Sequence, residues 1–196
     1  MSADLQVRNL FGNLPELVTP RLVLRKLTME DAEDGFAYAR EPEVVRYMTW
    51  EVHRTIEDTR KYLRDTLERY AAQQPASWAI VLKESGRMIG NGGFPRWAPE
   101  HARGELGYVL ARRCWGRGLA TEAAQAMLAC GFRQMNFHRI YANCDPCNVA
   151  SRRVLEKLGM KFEGIARQDT LARGQFHDSC MYAILREEFE AQAGVK

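Results

Sequence analysis

The segment Arg113-Cys-Trp-Gly116-Arg-Gly118-Leu-Ala120-Thr121-Glu122 constrains the fold more than any other stretch of this chain. It follows an apolar-rich run, Leu106 to Leu110, and leads into Leu119, Ala123 and Met127, which recur at helical spacing. A strand must therefore end, turn through two glycines and restart as a helix. Glycine has no Cβ to block an approaching ligand, and the first amides of a helix carry partial positive charge, so the turn can cradle a diphosphate.

Spacing excludes the common nucleotide loops. A P-loop has four residues between its glycines and then Lys-Ser/Thr; here one residue separates Gly116 from Gly118, and Leu119 follows. A dinucleotide fingerprint needs a third Gly or Ala where Thr121 stands, and an acid about 20 residues after the loop. Asn136, Phe137, His138, Arg139 and Ile140 occupy that stretch, and none is a carboxylate.

The pattern that fits is Arg/Gln-x-x-Gly-x-Gly/Ala, filled by Arg113, Gly116 and Gly118. It resembles the acetyl-coenzyme A loop of the GNAT N-acetyltransferase superfamily. Downstream, Asn148-Val-Ala-Ser151 and the run to Leu158-Gly159-Met160-Lys-Phe162 resemble that family's second half, where a helix carrying Asn meets the thiol arm. Upstream, Thr19-Pro20-Arg21-Leu22-Val23-Leu24-Arg25 resembles the first strand of the branch acting on ribosomal-protein N-termini (RimJ/RimL-like). The resemblance runs from about Thr19 to about Glu188. It implies a mixed α/β fold, with a mostly antiparallel central sheet, parallel middle strands that splay apart, and helices on both faces.

Composition bounds the alternatives. A chain of 196 residues with 46% hydrophobic content reads as one domain, 1–196, with a substantial core. Its net charge of +3 is not gathered into a run of like charges, so neither nucleic acid nor an anionic membrane is indicated as a partner. No signal pattern opens the sequence and no apolar run reaches the ~18 residues of a membrane helix, which fits a cytoplasmic protein. Five cysteines suggest free thiols. Cys144-Asp-Pro-Cys147 has zinc-knuckle spacing but lacks a second Cys pair or a His-x3-His partner, so no metal is expected.

Residues 1–18 read as an N-terminal arm or short helix. Leu22 and Leu24 alternate with Arg21, Val23 and Arg25 as in a strand. Thr28 and Thr55 each precede acids in the manner of helix N-caps; the first helix ends near Arg40, ahead of Pro42, and the second runs to about Ala72. Trp78–Leu82 and Met88–Phe94 flank Gly86 as a β-hairpin, and Gly104–Leu110 delivers the chain to the glycine loop. A helix over Leu119–Phe132 and a strand over His138–Cys144 follow. Asp145-Pro146 is read as the cap and first turn of a helix ending at Leu158, with Gly159 just beyond; Cys180–Leu185 is the last strand, followed by a charged helical tail from Arg186. The strand-helix-strand unit after Glu105 calls for a right-handed crossover and parallel pairing.

The resemblance implies acetyl-CoA as cosubstrate and a primary amine as acceptor, joined by direct attack in a ternary complex; it is compatible with a homodimer. The amides of Arg113 and of Gly116, Arg117, Gly118, Leu119, Ala120 and Thr121 are the diphosphate candidates. Backbone groups of Val109 and Leu110 would pair with pantetheine, and N–H groups from Val109 to Ala111 would polarise the carbonyl. Asn148 and Ser151, three apart, share one side of a helix; Asn148 would bind the thiol arm or only cap the helix, and Ser151 would protonate the leaving thiolate. No tyrosine occurs from Asn148 to Leu158 to take that acid role.

Glu105 shares a strand face with Gly107 and Val109 and is the candidate base, set against a plain paired strand carboxylate. Tyr47, Met48, Trp50, His53 and Trp97 are candidate acceptor contacts, each set against a core role, while His101, His138 and His177 lack partner spacing. The acceptor read from the resemblance is a protein α-amine. A small-molecule amine (polyamine, amino acid or antibiotic) and a non-catalytic acyl-CoA-binding regulator are the alternatives.

Overall fold

The computed structural model describes residues 10–193; the start of the expected N-terminal arm, 1–9, lies outside them. The described chain opens with a helical turn at 10–12. It then runs β1 (Leu17–Val18), β2 (Leu22–Lys26), α1 (Ala32–Ala39), α2 (Pro42–Val45), α3 (Ile56–Ala71), β3 (Ser77–Leu82), β4 (Arg87–Ala98) and β5 (Arg103–Leu110). After β5 come α4 (Leu119–Arg133), β6 (Arg139–Cys144), α5 (Val149–Lys157), β7 (Lys161–Ala172), β8 (Gln175–Leu185) and α6 (Arg186–Ala193).

The strands form one eight-stranded sheet in the order β1-β2-β3-β4-β5-β6-β8-β7. Every neighbouring pair is antiparallel except β5 and β6, the parallel pair required by the crossover through α4. That pair has rungs only at Arg103↔Arg139, Gly104↔Ile140 and Glu105↔Tyr141, although β5 continues to Leu110 and β6 to Cys144. The two strands therefore diverge beyond Glu105, as the resemblance implied.

Adjacent residues of β4 show that both faces are covered. A Cβ built on Gly92 would meet Met127 of α4, whereas Asn91, one position away, donates to the Tyr38 hydroxyl of α1 at 2.7 Å. Successive side chains of a strand point to opposite faces, so α4 packs on one face and α1, backed by α3, on the other. Trp78, Ile80, Phe94, Met127 and Ile140 are completely buried between the layers. No helix among the described residues is long and apolar enough to cross a membrane.

Local signals set several boundaries. Thr28 caps a 3₁₀ turn, Met29–Asp31, that leads into α1, and its amide donates to Asp31 Oδ2 at 2.9 Å; Thr55 caps α3, its amide donating to Asp58 Oδ2 at 2.9 Å. Glu41, ahead of Pro42, is extended (φ −82°, ψ 117°), which ends α1 where expected. The expected start of α5 is corrected. Asp145 does not cap it: Asp145 Oδ1 accepts from the Cys147 amide at 2.8 Å in a preceding turn, and the cap is Asn148, whose side chain accepts from the Ser151 amide at 3.1 Å. Three strand segments had no expectation: β1, which ends the stretch read as an N-terminal arm and pairs with β2, and β7 with the first half of β8, which together form a long, largely exposed hairpin at the sheet edge.

Candidate active site

The loop between β5 and α4 is built by glycine conformation. After a 3₁₀ turn at Arg112–Cys114, Gly116 and Gly118 adopt φ of +71° and +75°, left-handed values that cost an L-residue about 1–2 kcal/mol. A Cβ built on Gly116 would meet nothing within 4 Å, so its backbone angle, not crowding, calls for glycine. Gly118 occupies the N-cap position and offers no side chain there, which leaves the first-turn amides of α4 open to an anion. The side chain of Leu119 is buried, so only its amide is available. Arg113 and Arg117 line a cleft of about 460 Å³ beside the loop with Leu82, Glu84 and Ile89.

A tether the sequence did not reveal fixes this loop to the turn between β1 and β2. Glu122, in the first turn of α4, accepts from Thr19 Oγ1 at 2.6 Å, the Arg21 amide at 2.8 Å and Arg21 Nε at 2.6 Å. Arg21 Nη1 then donates to the carbonyl of Arg117 at 2.9 Å. Burial pushes the Glu122 carboxyl up, but the bonds from Thr19 and Arg21 outweigh it and hold the group below the usual carboxylate range.

Where β5 leaves β6, backbone groups lose their sheet partner. The Ala111 amide donates to Ile89 of β4 at 2.7 Å, and N–H groups alternate sides along a strand. Leu110 and Tyr108 therefore turn their amides away from β4, toward the opened edge. This corrects two expectations: the Ala111 amide is already used and the Val109 backbone groups turn with it toward β4, so neither faces the gap, whereas Leu110 and Tyr108 do. The Leu110 carbonyl accepts from Trp115 Nε1 at 2.8 Å.

On the α4 face of the gap, Tyr108 OH and Ser151 Oγ lie 3.1 Å apart, joining β5 to the first turn of α5. Sequence reasoning missed Tyr108, because period two puts it on a face without saying which helix covers that face. Burial pushes the Tyr108 phenol up to about 12, so at neutral pH it is a proton donor. Cys144 sits beside Ser151, and burial pushes its thiol up to about 12, which keeps it from acting as a nucleophilic thiolate.

The opposite face carries Glu105. Its side chain is 17% exposed; Arg96 Nη1 lies 3.3 Å from Oε2, and the Tyr141 hydroxyl makes a long 3.4 Å contact to the same oxygen. Burial raises the carboxyl above its ordinary range, against the pull of Arg96 and Tyr141. Arg96 is 74% exposed, so the pair is weak in energy.

Between α1, α3 and strands β4 and β5 lies a cavity of about 170 Å³, lined by Tyr38, Trp50, His53, Tyr62, Asn91, Val109 and apolar neighbours, with no carboxylate in its wall. His53 Nδ1 is 2.7 Å from Thr59 Oγ1, and burial lowers the imidazole pKa, leaving it neutral at pH 7.

The five expected acceptor contacts are not gathered together. Trp50 and His53 meet at this cavity, their rings 5.4 Å apart. Tyr47 instead lies under the Arg46 guanidinium at 5.3 Å, Met48 packs against the core, and the Trp97 ring meets Phe11 at 5.6 Å, tilted by 56°. His101 is 3.8 Å from Glu100, and His177 Nδ1 is 3.9 Å from Asp145. Among the described residues no group of His, Cys, Asp or Glu is arranged to hold a metal ion.

A mixed sheet that opens beyond one parallel pair, with a phosphate-type loop at the open end and proton donors and acceptors on its two faces, suits a group-transfer enzyme using an extended, phosphate-bearing carrier. Comparison with known proteins identifies the family. Residues 21–161 match the acetyltransferase (GNAT) domain. The chain is 34% identical over 173 residues to the uncharacterized N-acetyltransferase p20 of Bacillus licheniformis, covering 88% of this chain and 97% of that protein. A GNAT-family acetyltransferase structure from Bacillus anthracis superposes with a TM-score of 0.79 at 33% identity, covering 88% and 99% of the two chains. The coenzyme A complex of RimL, a ribosomal L7/L12 α-N-protein acetyltransferase, shares the fold with a TM-score of 0.78 at 22% identity, covering 87% and 98%. The chain belongs to the GNAT family and is an N-acetyltransferase.

Proposed function

We propose that this enzyme transfers the acetyl group of acetyl-CoA to the α-amino group of a protein N-terminus, by direct attack in a ternary complex. The amides of Gly116 through Thr121, with the Arg113 and Arg117 side chains, hold the diphosphate. Along the opened edge the Leu110 N–H receives a pantetheine amide carbonyl and the Tyr108 N–H, nearer Glu105, polarises the thioester carbonyl, with Val109 between them against the acceptor cavity. When bound, acetyl-CoA supplies an activated acyl group on a thiol leaving group. Asn148 spends its Oδ1 on capping α5 and keeps its amide N–H donors for the thiol arm.

The chemistry divides between the two faces of the sheet. Glu105, directly or through a water, takes a proton from the amine as its nitrogen bonds to the acetyl carbon. As the carbon–sulfur bond breaks, Ser151, backed by Tyr108, gives a proton to the departing thiolate. An α-amine with pKa ~7.7–8.0 is roughly a tenth neutral at pH 7, against about one in 2,500 for lysine, so a modest base suffices.

The observation that carries the choice of acceptor is the uncharged cavity beside Val109. At about 170 Å³ it is smaller than the ~300–1,000 Å³ pockets that engulf a whole ligand, and fits one side chain next to the reacting amine. A polyamine has further cations to satisfy, and the wall offers no carboxylate to pair with them. The test is a panel of kcat/KM values for peptides varied at their first residue, lysine peptides with blocked N-termini, and polyamines. Peptides with an uncharged first residue should lead; a preference for polyamines would refute the acceptor assignment.

A further inference from the structure

Among the described residues one buried side-chain oxygen has no hydrogen-bond partner, Asn143 Oδ1. Buried acceptors left unpaired are rare because burial removes their bonds to water without replacement. Each such group calls for a partner outside the chain or a strained role.

The place of Asn143 in the sheet indicates what that partner is. It lies on β6 two positions beyond Tyr141, where the last rung to β5 falls, so it borders the opened edge. The β6–β8 register runs without a bulge from Arg139↔Leu185 to Cys144↔Cys180, so alternation is unbroken along β6. Asn143 therefore shares a face with Tyr141, whose hydroxyl reaches Glu105, while Ile140 and Cys144 point to the opposite face, toward α4 and Ser151. The unpaired oxygen is on the side of the candidate base, beside the edge where the thioester would lie.

We infer that Asn143 Oδ1 accepts a hydrogen bond from the N–H of the incoming amine and so orients the nitrogen lone pair toward the acetyl carbon. An amine that gives one proton to Glu105 still carries another N–H, and Asn143 is placed to receive it. This role rests on the acetyl-transfer reading above, and makes Asn143 a contact of the reacting atom that neither motif nor spacing indicated.

The test compares Asn143→Leu and Asn143→Asp with the unaltered enzyme, using the best peptide of the acceptor panel. Leucine has similar bulk and no acceptor, so kcat/KM for the peptide should fall about tenfold or more, the factor that one lost hydrogen bond represents. KM for acetyl-CoA should stay unchanged, and the melting temperature should hold or rise, since an unpaired polar group has been replaced by an apolar one. Aspartate keeps an oxygen there and should recover most of the loss.

A merely structural asparagine would give the reverse, a lower melting temperature with acceptor kinetics falling only in step. Unchanged peptide kcat/KM in Asn143→Leu would overturn the inference, as would a rise confined to the acetyl-CoA KM. If the unaltered protein acetylates no amine in the panel, the transfer reading itself fails and the Asn143 role with it; turnover that is indifferent to Asn143 overturns the role alone.

Discussion

Replacing Glu122 with alanine probes how the sheet and the cofactor loop are joined. The carboxylate, 15% exposed, receives three hydrogen bonds of 2.6 to 2.8 Å from Thr19 and Arg21. Bonds to a charged group contribute about 1.5–3 kcal/mol each, but Arg21 is 49% exposed and its ion pair is screened toward ~0–1 kcal/mol. The donors released by Glu122→Ala can also turn to water, so a net loss of about 2–3 kcal/mol is expected. For a chain of this size, that lowers Tm by roughly 4–12 °C. The effect depends on pH in a defined sense. The folded-state pKa of Glu122 lies below its ordinary value of 4.5, so the stabilisation is complete above that value and is lost as pH falls through the folded pKa. Thermal melts at pH 7 should therefore separate the variant from the parent, and the gap should narrow as the pH is taken below 4.5 and through the folded-state pKa. Because Arg21 also holds the Arg117 carbonyl, KM for acetyl-CoA should rise severalfold at pH 7. Equal melting temperatures at pH 7, or a gap that persists undiminished in acid, would refute this reasoning.

Other consequences are local to the site. Ser151→Ala and Tyr108→Phe should each lower kcat by about 10²-fold, with a double variant well short of the product, because the two hydroxyls act as one donor; steady-state kinetics of the three variants measures this. Gly118→Ala forces an L-residue to φ +75°, which should cost about 1–2 kcal/mol in a denaturant titration and raise KM for acetyl-CoA. With a peptide acceptor, kcat/KM should climb with pH and level off near the α-amine pKa of ~7.7–8.0. Glu105 titrates above the ordinary carboxylate range, so only its ionised form, populated as pH rises, serves as base, and Glu105→Gln should depress the whole pH profile.

Local chemistry was legible in the sequence, and long-range pairing was not. The capping residues Thr28 and Thr55, the hairpin around Gly86 and the turn through Gly116 and Gly118 depend on neighbours a few residues away. Asp145-Pro146 also looked like a helix start, but Asp145 is used by the preceding turn and Asn148 caps instead. The edge strand β7 gave no alternation to read: it is mostly exposed, carries Gly164 at φ +142°, and slips register between Phe162 and Gly164 and again between Ala166 and Thr170. The contacts that complete the site span the chain, with Tyr108 and Ser151 43 residues apart and Arg21 and Glu122 101 apart. Glu105 could be placed on a strand face from periodicity, but its partner Arg96 follows from a bulge between Gly93 and Arg96 that shifts the register of β4. Asn143 needed both its strand position and the end of the β5–β6 rungs to gain meaning.

The central claim is that the acetyl group passes in one step from the carrier at the Gly116–Gly118 loop to an α-amine seated by the uncharged cavity. Rapid-quench mass spectrometry of a single turnover, with the enzyme, acetyl-CoA and an equimolar mixture of a free-N-terminus peptide and spermidine, tests it most directly. The expected result is acetyl on the peptide α-nitrogen at the rate acetyl-CoA disappears, with the mass of the protein unchanged throughout. Acetyl appearing first on the protein, or passing mainly to spermidine, would contradict it.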